Sequence, residues 1–281
     1  MARKTEVRLS PALERKYGKL RSILGGMESV LVAFSGGVDS TLLLKTAHDA
    51  LGRGAVAVTA ASVIHPAWET REAREIARRI GASLRVLRVE PLEDLAFAQN
   101  PPDRCYHCKR KLFSGFLEIA RSRGIPWVLD GSNADDAGDF RPGGRALAEL
   151  GIRSPLKEAG LTKGEIRRLS RFLGLPTADK PALACLASRF PYGMKIDKES
   201  LERVGKAEDL LRKLGFGQVR VRHHGPVARL EVDPALIAKL ARADVRGAIS
   251  RELKKLGYAY VALDLDGYRT GSLNETLKSR T

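Results

Sequence analysis

Aromatic residues are scarce in this chain: Phe, Trp and Tyr together make up 6% of its 281 residues. A surface that holds single-stranded nucleic acid by stacking needs rings interleaved with basic residues, and the basic segments here lack that interleaving. Long apolar runs are also missing. None approaches the roughly 20 residues that a membrane-spanning helix needs, so no membrane partner is expected. The basic start, Met1-Ala2-Arg3-Lys4-Thr5, is not followed by the apolar stretch of a secretory leader. Three cysteines are too few, and odd in number, for a disulfide framework. They point instead to a reduced, cytoplasmic setting with metal, cluster or sulfur chemistry. No internal repeat or low-complexity tract occurs. Neither Gly-x-x-x-x-Gly-Lys-Ser/Thr nor Gly-x-Gly-x-x-Gly is present, which excludes the two commonest glycine-rich phosphate loops.

Positive charge is what the chain has in excess. Lys and Arg number 49 against 33 Asp and Glu, a formal net charge of +16. Polyanions are therefore plausible ligands: nucleotides, phosphorylated metabolites or RNA. The basic residues are spread along the chain, so an arginine-rich solvated surface is an equally good reading.

Strand and helix signals alternate through the first two thirds. Residues 12–26 read as a basic amphipathic helix ending at Gly25-Gly26. Val30-Leu31-Val32-Ala33-Phe34 and Ala55-Val56-Ala57-Val58-Thr59 are continuous apolar runs, the pattern of strands buried on both faces. Leu84 to Val89 and Trp127-Val128-Leu129-Asp130 read as two more strands. Helical patterns follow the first strand at Thr41 to Ala47, and recur at Glu69 to Ile80, Lys109 to Arg123 and residues 162–174. Thr162 and Glu165 have the spacing of a capping box. This order predicts a parallel sheet covered on both faces, with its crevice beyond the carboxyl ends of the strands. After about residue 195 the pattern changes to a helix, then the strands Gln218 to His223 and Val227 to Val232 around His224-Gly225-Pro226, more helix, and a last strand at Tyr258 to Leu263. We place the boundary near residue 190: a nucleotide-binding α/β domain over 1–190 and a small α+β domain over 191–281, for substrate binding or oligomerisation.

The strongest chemical signal is Ser35-Gly36-Gly37-Val38-Asp39-Ser40, placed where a buried strand hands over to a helix. Adjacent glycines let consecutive N–H groups face one point, and the helix adds its positive end. Hydroxyls of Ser35, Ser40 and Thr41 are further candidate donors. Asp39 would repel a phosphate unless a cation lies between them, so it implies Mg²⁺. A bare strand-to-helix turn capped by Ser and Asp is the plainer reading of the same six residues. The loop resembles the Ser-Gly-Gly-x-Asp-Ser signature of the PP-loop ATP pyrophosphatases, which cleave ATP between its α and β phosphates and pass AMP to a substrate oxygen. The expected fold is then an adenine nucleotide alpha hydrolase-like sheet with ATP and Mg²⁺ as ligands.

Two further clusters stand out. Asp130-Gly131-Ser132-Asn133-Ala134-Asp135-Asp136 follows the fourth predicted strand and runs on to Arg141-Pro142-Gly143. It would share the rim of the sheet with the phosphate loop, where its carboxylates suit a Mg²⁺-bound pyrophosphate and Arg141 a phosphate. A solvated acidic turn is the alternative. The second cluster is Arg104-Cys105-Tyr106-His107-Cys108-Lys109 with the distant Cys185. A zinc knuckle, a redox pair and cluster ligands all fit a Cys-x-x-Cys. Three thiolates without an obvious fourth suit a [4Fe-4S] cluster with one open iron.

A more specific resemblance covers nearly the whole chain. It rests on the phosphate loop, on Asn100 to Lys109, on Gly131 to Asp136, on Pro181-Ala182-Leu183-Ala184-Cys185-Leu186-Ala187-Ser188-Arg189, on Val219-Arg220-Val221-Arg222-His223, and on Asp266 to Asn274. These segments resemble the LarE family of ATP-dependent sulfur transferases, which help to build the nickel-pincer nucleotide cofactor of lactate racemase. The resemblance implies adenylation of a carboxylate of pyridinium-3,5-biscarboxylic acid mononucleotide, followed by replacement of AMP with sulfur. One branch of that family gives up the sulfur of the cysteine matching Cys185. Another holds a [4Fe-4S] cluster on three cysteines, and Cys105, Cys108 and Cys185 match that branch.

The resemblance further implies roles for Asp39 and Lys109 in catalysis, and for Ser35 to Ser40, Asn133 and Asp136 in ATP binding. It also implies that Ser188, Arg189, Arg220 and Arg222 bind substrate, with Glu231 beside them, and that the protein is a homo-oligomer. Arg220 and Arg222 share one strand face and could clamp a phosphate; Glu231 on the next strand could instead pair with them. Two rivals remain. A tRNA thiolase of the PP-loop class would use the +16 charge, but lacks here the lysine usual at Val38. A zinc-stabilised nucleic-acid-binding protein would show no ATP turnover. Nucleic acid is the less favoured partner.

Overall fold

A computed structural model describes residues 8–138, 142–181 and 184–278. The chain falls into two compact units: Met1–Ser62, Ala67–Glu90 and Asp103–Leu183 form the first, and Val63–Pro66, Pro91–Pro102 and Ala184–Thr281 the second. Two short excursions, 63–66 and 91–102, thus join the later part of the chain, which a single cut near residue 190 does not capture.

The first unit is built on four parallel strands, β1 (Val30–Ala33), β2 (Ala55–Ala61), β3 (Ser83–Arg88) and β4 (Trp127–Leu129), in the order β3-β2-β1-β4. Helix α1 (Pro11–Gly25) precedes them, opened by Ser10, whose Oγ accepts from Leu13 N, with proline in the first turn. Helix α2 (Val38–Leu51) joins β1 to β2 and α3 (Ala67–Ile80) joins β2 to β3. The continuous apolar run of β1 is explained by burial on both faces. Val30 and Val32 join a core with Leu20, Leu42, Leu43 and Ile166. Leu31 joins a second core with Val56, Phe113 and Phe116. The sheet is thus covered on one face by α1, α2 and α8 (Lys163–Phe172), and on the other by α5 (Arg104–Arg121) and α6 (Pro142–Glu149). A short α7 (Pro155–Glu158) precedes α8. Helix α8 opens with the expected capping box between Thr162 and Glu165.

The strand order has a functional consequence. From β1 the chain moves outward through β2 to β3, then crosses back to β4 on the other side of β1. The strand order therefore reverses between β1 and β4. In open parallel sheets the crevice at such a reversal, beyond the carboxyl ends, is where ligands bind.

The second unit contains the helix α9 (Lys198–Lys213) and a three-stranded sheet of β5 (Val219–His224), β6 (Val227–Val232) and β7 (Tyr260–Leu263). Strands β5 and β6 are antiparallel, joined by a tight turn in which Gly225 has φ +61°. Strand β7 lies parallel to β6, after α10 (Ile237–Ala241) and α11 (Ala243–Lys255). Leu211, Phe216, Val221, Leu230 and Leu253 form its core. The 91–102 excursion, with its short helix α4 (Leu95–Ala98), is bound by Asn100, which has φ +57° and donates from Nδ2 to Pro191 O at 2.7 Å. A short α12 (Glu275–Lys278) ends the described chain. Among the described residues, no helix is long and apolar enough to cross a membrane.

Candidate active site

Strand β1 ends at Ala33, and Phe34-Ser35-Gly36-Gly37 carries the chain into α2. Gly36 has φ +68°, and a Cβ there would lie 3.4 Å from Ala73 Cα in ordinary contact, so it is the backbone angle that favours glycine. The loop is held by its own hydroxyls. Ser40 Oγ donates to Gly37 O at 3.2 Å and accepts from Ser35 N at 3.3 Å, while Ser35 Oγ accepts from Gly37 N at 3.3 Å. Thr41 is fully buried. Ser40 Oγ therefore braces the cradle from within, while the buried Thr41 Oγ1 has no hydrogen-bond partner among the described residues.

The segment after β4 lies directly against this loop. A Cβ on Gly131 would come within 3.2 Å of Ser40 N, so glycine is what lets the two loops close together. Asn133 Nδ2 donates to Asp39 Oδ1 at 3.3 Å. Asp136 Oδ2 caps the turn by accepting from Asn133 N at 2.9 Å. Asp130 is buried and accepts from Ser132 and Ser154 hydroxyls, both at 2.5 Å. Asp39, Asn133 and Asp136 are thus neighbours, as the shared rim required. Arg141 lies outside the described residues.

Two lysines that sequence reasoning did not single out complete the rim. Lys163 Nζ forms an ion pair with Asp39 Oδ2, and its backbone N donates to Asp135 Oδ2 at 2.8 Å. Lys180 Nζ donates to Gly36 O at 2.9 Å and to Glu72 Oε2 at 2.8 Å. The chain around Lys180 is held by Arg167, which donates to Ala178 O and Lys180 O. The sequence alone assigned the charge facing Asp39 to Mg²⁺; in this structure Lys163 supplies a cation there. Asp39 nonetheless fits a divalent ion. It is a carboxylate on the loop's rim, 19% exposed, and its lysine partner is a flexible side chain that can be displaced.

The Cys-x-x-Cys lies inside a helix rather than before one: α5 starts at Arg104, earlier than the predicted Lys109. Cys105 is exposed and Cys108 partly so, one turn apart in the amino-terminal part of the helix, where thiolates are favoured. Lys109 runs past Gly143, where a Cβ would lie 2.7 Å from Lys109 Cδ. Among the described residues no three His, Cys, Asp or Glu side chains are arranged to hold a metal ion. The pair on α5 suits two thiolate donors to one centre; Cys185 belongs to the second unit.

In that second unit Cys185 precedes a 3-10 turn, Leu186–Arg189. Ser188 Oγ donates to Cys185 O at 2.9 Å. Arg189 is buried against Glu208, with Nε to Oε1 at 2.7 Å and Nη2 to Oε2 at 2.9 Å. Arg222 meets Glu231 in the same two-pronged way at 2.8 and 2.7 Å, and its Nη1 donates to Ser188 O at 2.8 Å. Glu231 stands opposite Arg220 in the ladder, yet its carboxylate goes diagonally to Arg222 and along its own strand to Arg229. Arg220 instead lies with its guanidinium 4.9 Å from the centre of the Tyr268 ring. Burial first, then the Arg189 charge, holds the Arg220 pKa below its ordinary value. Burial pushes the Tyr268 phenol up, but a hydrogen bond with Thr270 and the Arg220 charge outweigh it and leave the group below its usual value. The predicted arginine pair on β5 is therefore divided: Arg222 is tied to Glu231, and Arg220 faces an aromatic ring.

Comparison with known proteins adds the decisive observation. No protein-family model matches the chain. It is 43% identical to an uncharacterized protein of Synechocystis over 265 residues, covering 94% of this chain and 99% of that one. It is 41% identical to pyridinium-3,5-bisthiocarboxylic acid mononucleotide synthase of Lactiplantibacillus plantarum over 266 residues, covering 94% and 96%. This chain belongs to the LarE family. A more distant likeness, 26% over 176 residues, links it to a component of the glutamine-hydrolyzing GMP synthase of Methanopyrus kandleri, with 58% of this chain and 55% of that one covered.

The LarE-family motifs were visible in sequence because they are local runs. Lys163 and Lys180 were not, because their partners are distant along the chain: 124 residues separate Lys163 from Asp39, and 144 separate Lys180 from Gly36. Lys163 did carry one local signal, its place within the capping-box segment at the start of α8.

Proposed function

We propose that this LarE-family enzyme is an ATP-dependent sulfur transferase. It adenylates a carboxylate of pyridinium-3,5-biscarboxylic acid mononucleotide and replaces AMP with sulfur, giving the thiocarboxylate used in nickel-pincer nucleotide assembly. The observation that carries the reading is the 41% identity to the named synthase across 94% of the chain. The phosphate loop at the reversal between β1 and β4 supports it.

In this scheme a carboxylate oxygen of the substrate attacks the α-phosphorus of ATP, and pyrophosphate leaves. Amides of the Ser35–Ser40 loop and the amino end of α2 receive the phosphates. Asp39, with Asn133 and Asp136 near it, would hold Mg²⁺, which offsets the phosphate charge as pyrophosphate departs. The acyl adenylate so formed carries a good leaving group. A sulfur nucleophile attacks its carbonyl carbon, AMP leaves with the original carboxylate oxygen, and a thiocarboxylate remains. Lys109 is a catalytic candidate. Ser188, Arg220 and Arg222 would hold the nucleotide, with Glu231 fixing Arg222 and Arg189 fixing the turn they share. Cys105, Cys108 and Cys185 would hold a [4Fe-4S] cluster, which would supply the sulfur nucleophile. Without it, the Cys185 thiolate is the nucleophile, and β-elimination leaves dehydroalanine at that position. The same proposal includes a reduced cytoplasmic setting and a homo-oligomer.

The +16 charge favours a second reading, tRNA thiolation by the same adenylating chemistry. Anaerobic purification followed by an AMP-release assay separates the two. The leading reading expects AMP with the biscarboxylated pyridinium nucleotide; AMP with tRNA alone contradicts it.

A further inference from the structure

We propose that Arg189 and Glu208 are positioning residues that fix the peptide from which Cys185 projects. This inference rests on the sulfur-transfer reading above. Both side chains are buried, Arg189 at 2% exposure and Glu208 at 0%. Taking two charges out of water is costly, and a buried pair is not by itself a source of stability. Its worth here lies in the geometry it imposes.

Arg189 uses its two edges for different tasks. Nε and Nη2 grip Glu208. Nη1 turns the other way and donates to Ala184 O at 2.8 Å, Cys185 O at 3.1 Å and Ser188 Oγ at 2.8 Å. The Cys185 carbonyl also accepts from Ser188 N at 3.0 Å and Ser188 Oγ at 2.9 Å. Three donors therefore converge on one peptide oxygen. Glu208, itself on α9, is anchored to β5 by accepting from Val221 N at 3.1 Å, and pairs one turn along its own helix with Arg212 at 3.1 Å.

The chain just after Cys185 is fixed as well. Leu186 and Ala187 are buried, and Leu186 N donates to Ile64 O at 2.8 Å. Cys185 keeps partial exposure, between exposed Ala184 and buried Leu186. A planar guanidinium can hold a carboxylate with one edge and carbonyls with the other; a lysine ammonium cannot span both. Because both edges are engaged, Arg189 acts on the reaction through Cys185. That differs from direct contact with the substrate, the role its family resemblance implied.

The test is Arg189→Lys, with Glu208→Gln as a second lesion. Arg212→Ala serves as a control, because it removes a guanidinium from Glu208 on the same helix, one turn along α9. AMP and thiocarboxylate are measured in the same reaction. The two lesions should lower thiocarboxylate by about a hundredfold, the scale expected when a reacting atom is displaced by an ångström, while AMP release falls far less, so that AMP forms in excess of thiocarboxylate. Water then hydrolyses the acyl adenylate to AMP and the original carboxylate. Hydrogen exchange, which needs no activity, should rise in the segment 184–190 and stay at the parent level in α9 and β5. AMP and thiocarboxylate falling together would mean that Arg189 holds substrate or the fold, and would overturn the proposal. So would exchange that is unchanged or that spreads through α9 and β5. No AMP release by the parent protein would instead fail the sulfur-transfer reading, while hydrogen exchange still decides the positioning role.

Discussion

Asp39 carries the sharpest residue-level question. Its carboxylate faces the phosphate loop, and Lys163 neutralises it. A partly exposed pair of this kind contributes on the order of 1 kcal/mol or less to stability, so a divalent ion arriving with ATP can displace the ammonium at small cost. Lys163→Met should therefore bind Mn²⁺ without nucleotide more tightly than the parent, as read by the loss of the free-ion paramagnetic signal. Equal affinity would show that Lys163 does not compete for that carboxylate. The sequence made Asp39 conspicuous through its motif. It concealed Lys163, since a contact across 124 residues leaves no periodic trace. The same holds for Glu208, an acidic residue on an amphipathic helix that reads as solvated until α9 is seen to bury it.

At the scale of elements, the phosphate loop depends on how β1, α2 and α3 close together. Gly36→Ala places a Cβ in ordinary contact with Ala73, 3.4 Å away, but on a backbone held at φ +68°. The left-handed backbone alone costs about 1 kcal/mol. ATP binding should fall more than stability does, because strain there moves the amides that face the phosphates; calorimetry with a nonhydrolysable ATP analogue checks this. Leu31→Ala in β1 is the converse case. Leu31 is fully buried in the second core. Its loss should cost about 3 kcal/mol in chemical denaturation and leave the ATP affinity of the folded protein unchanged.

The strands and most helices were legible because buried parallel strands read as apolar runs and helices as 3.6-residue patterns. Helix α6 was not predicted, since glycines at its start break the helical signal. The early start of α5 was hidden because Cys105 and Cys108 suggested an irregular ligand loop. The excursions 63–66 and 91–102 were equally illegible, because nothing local marks a segment that joins a distant part of the chain.

For the molecule as a whole, pH offers a test of the second unit. Burial, then Arg203, lowers the pKa of His223; burial, then Arg229 and Arg222, lowers that of His224. Asp197 and Glu231 act in the opposite sense but are outweighed. Both rings therefore resist protonation when folded. As pH falls through about 6.5, the unfolded chain takes up protons first, so the stabilisation present above that pH is lost on the way down to the lower folded values. The thermal midpoint should drop between pH 7.5 and 5.5, and His223→Gln with His224→Gln should drop less. An identical pH slope in the double variant would contradict this assignment.

Sulfur transfer through an adenylated carboxylate makes one direct demand: an oxygen of the carboxylate must leave on AMP. The direct measurement uses pyridinium-3,5-biscarboxylic acid mononucleotide labelled with ¹⁸O in its carboxylates, ATP and the anaerobically prepared protein, with mass analysis of AMP and the pyridinium product. The account predicts AMP carrying one heavy oxygen and a product in which one sulfur replaces it. Unlabelled AMP, or a thiocarboxylate formed without AMP, would contradict it.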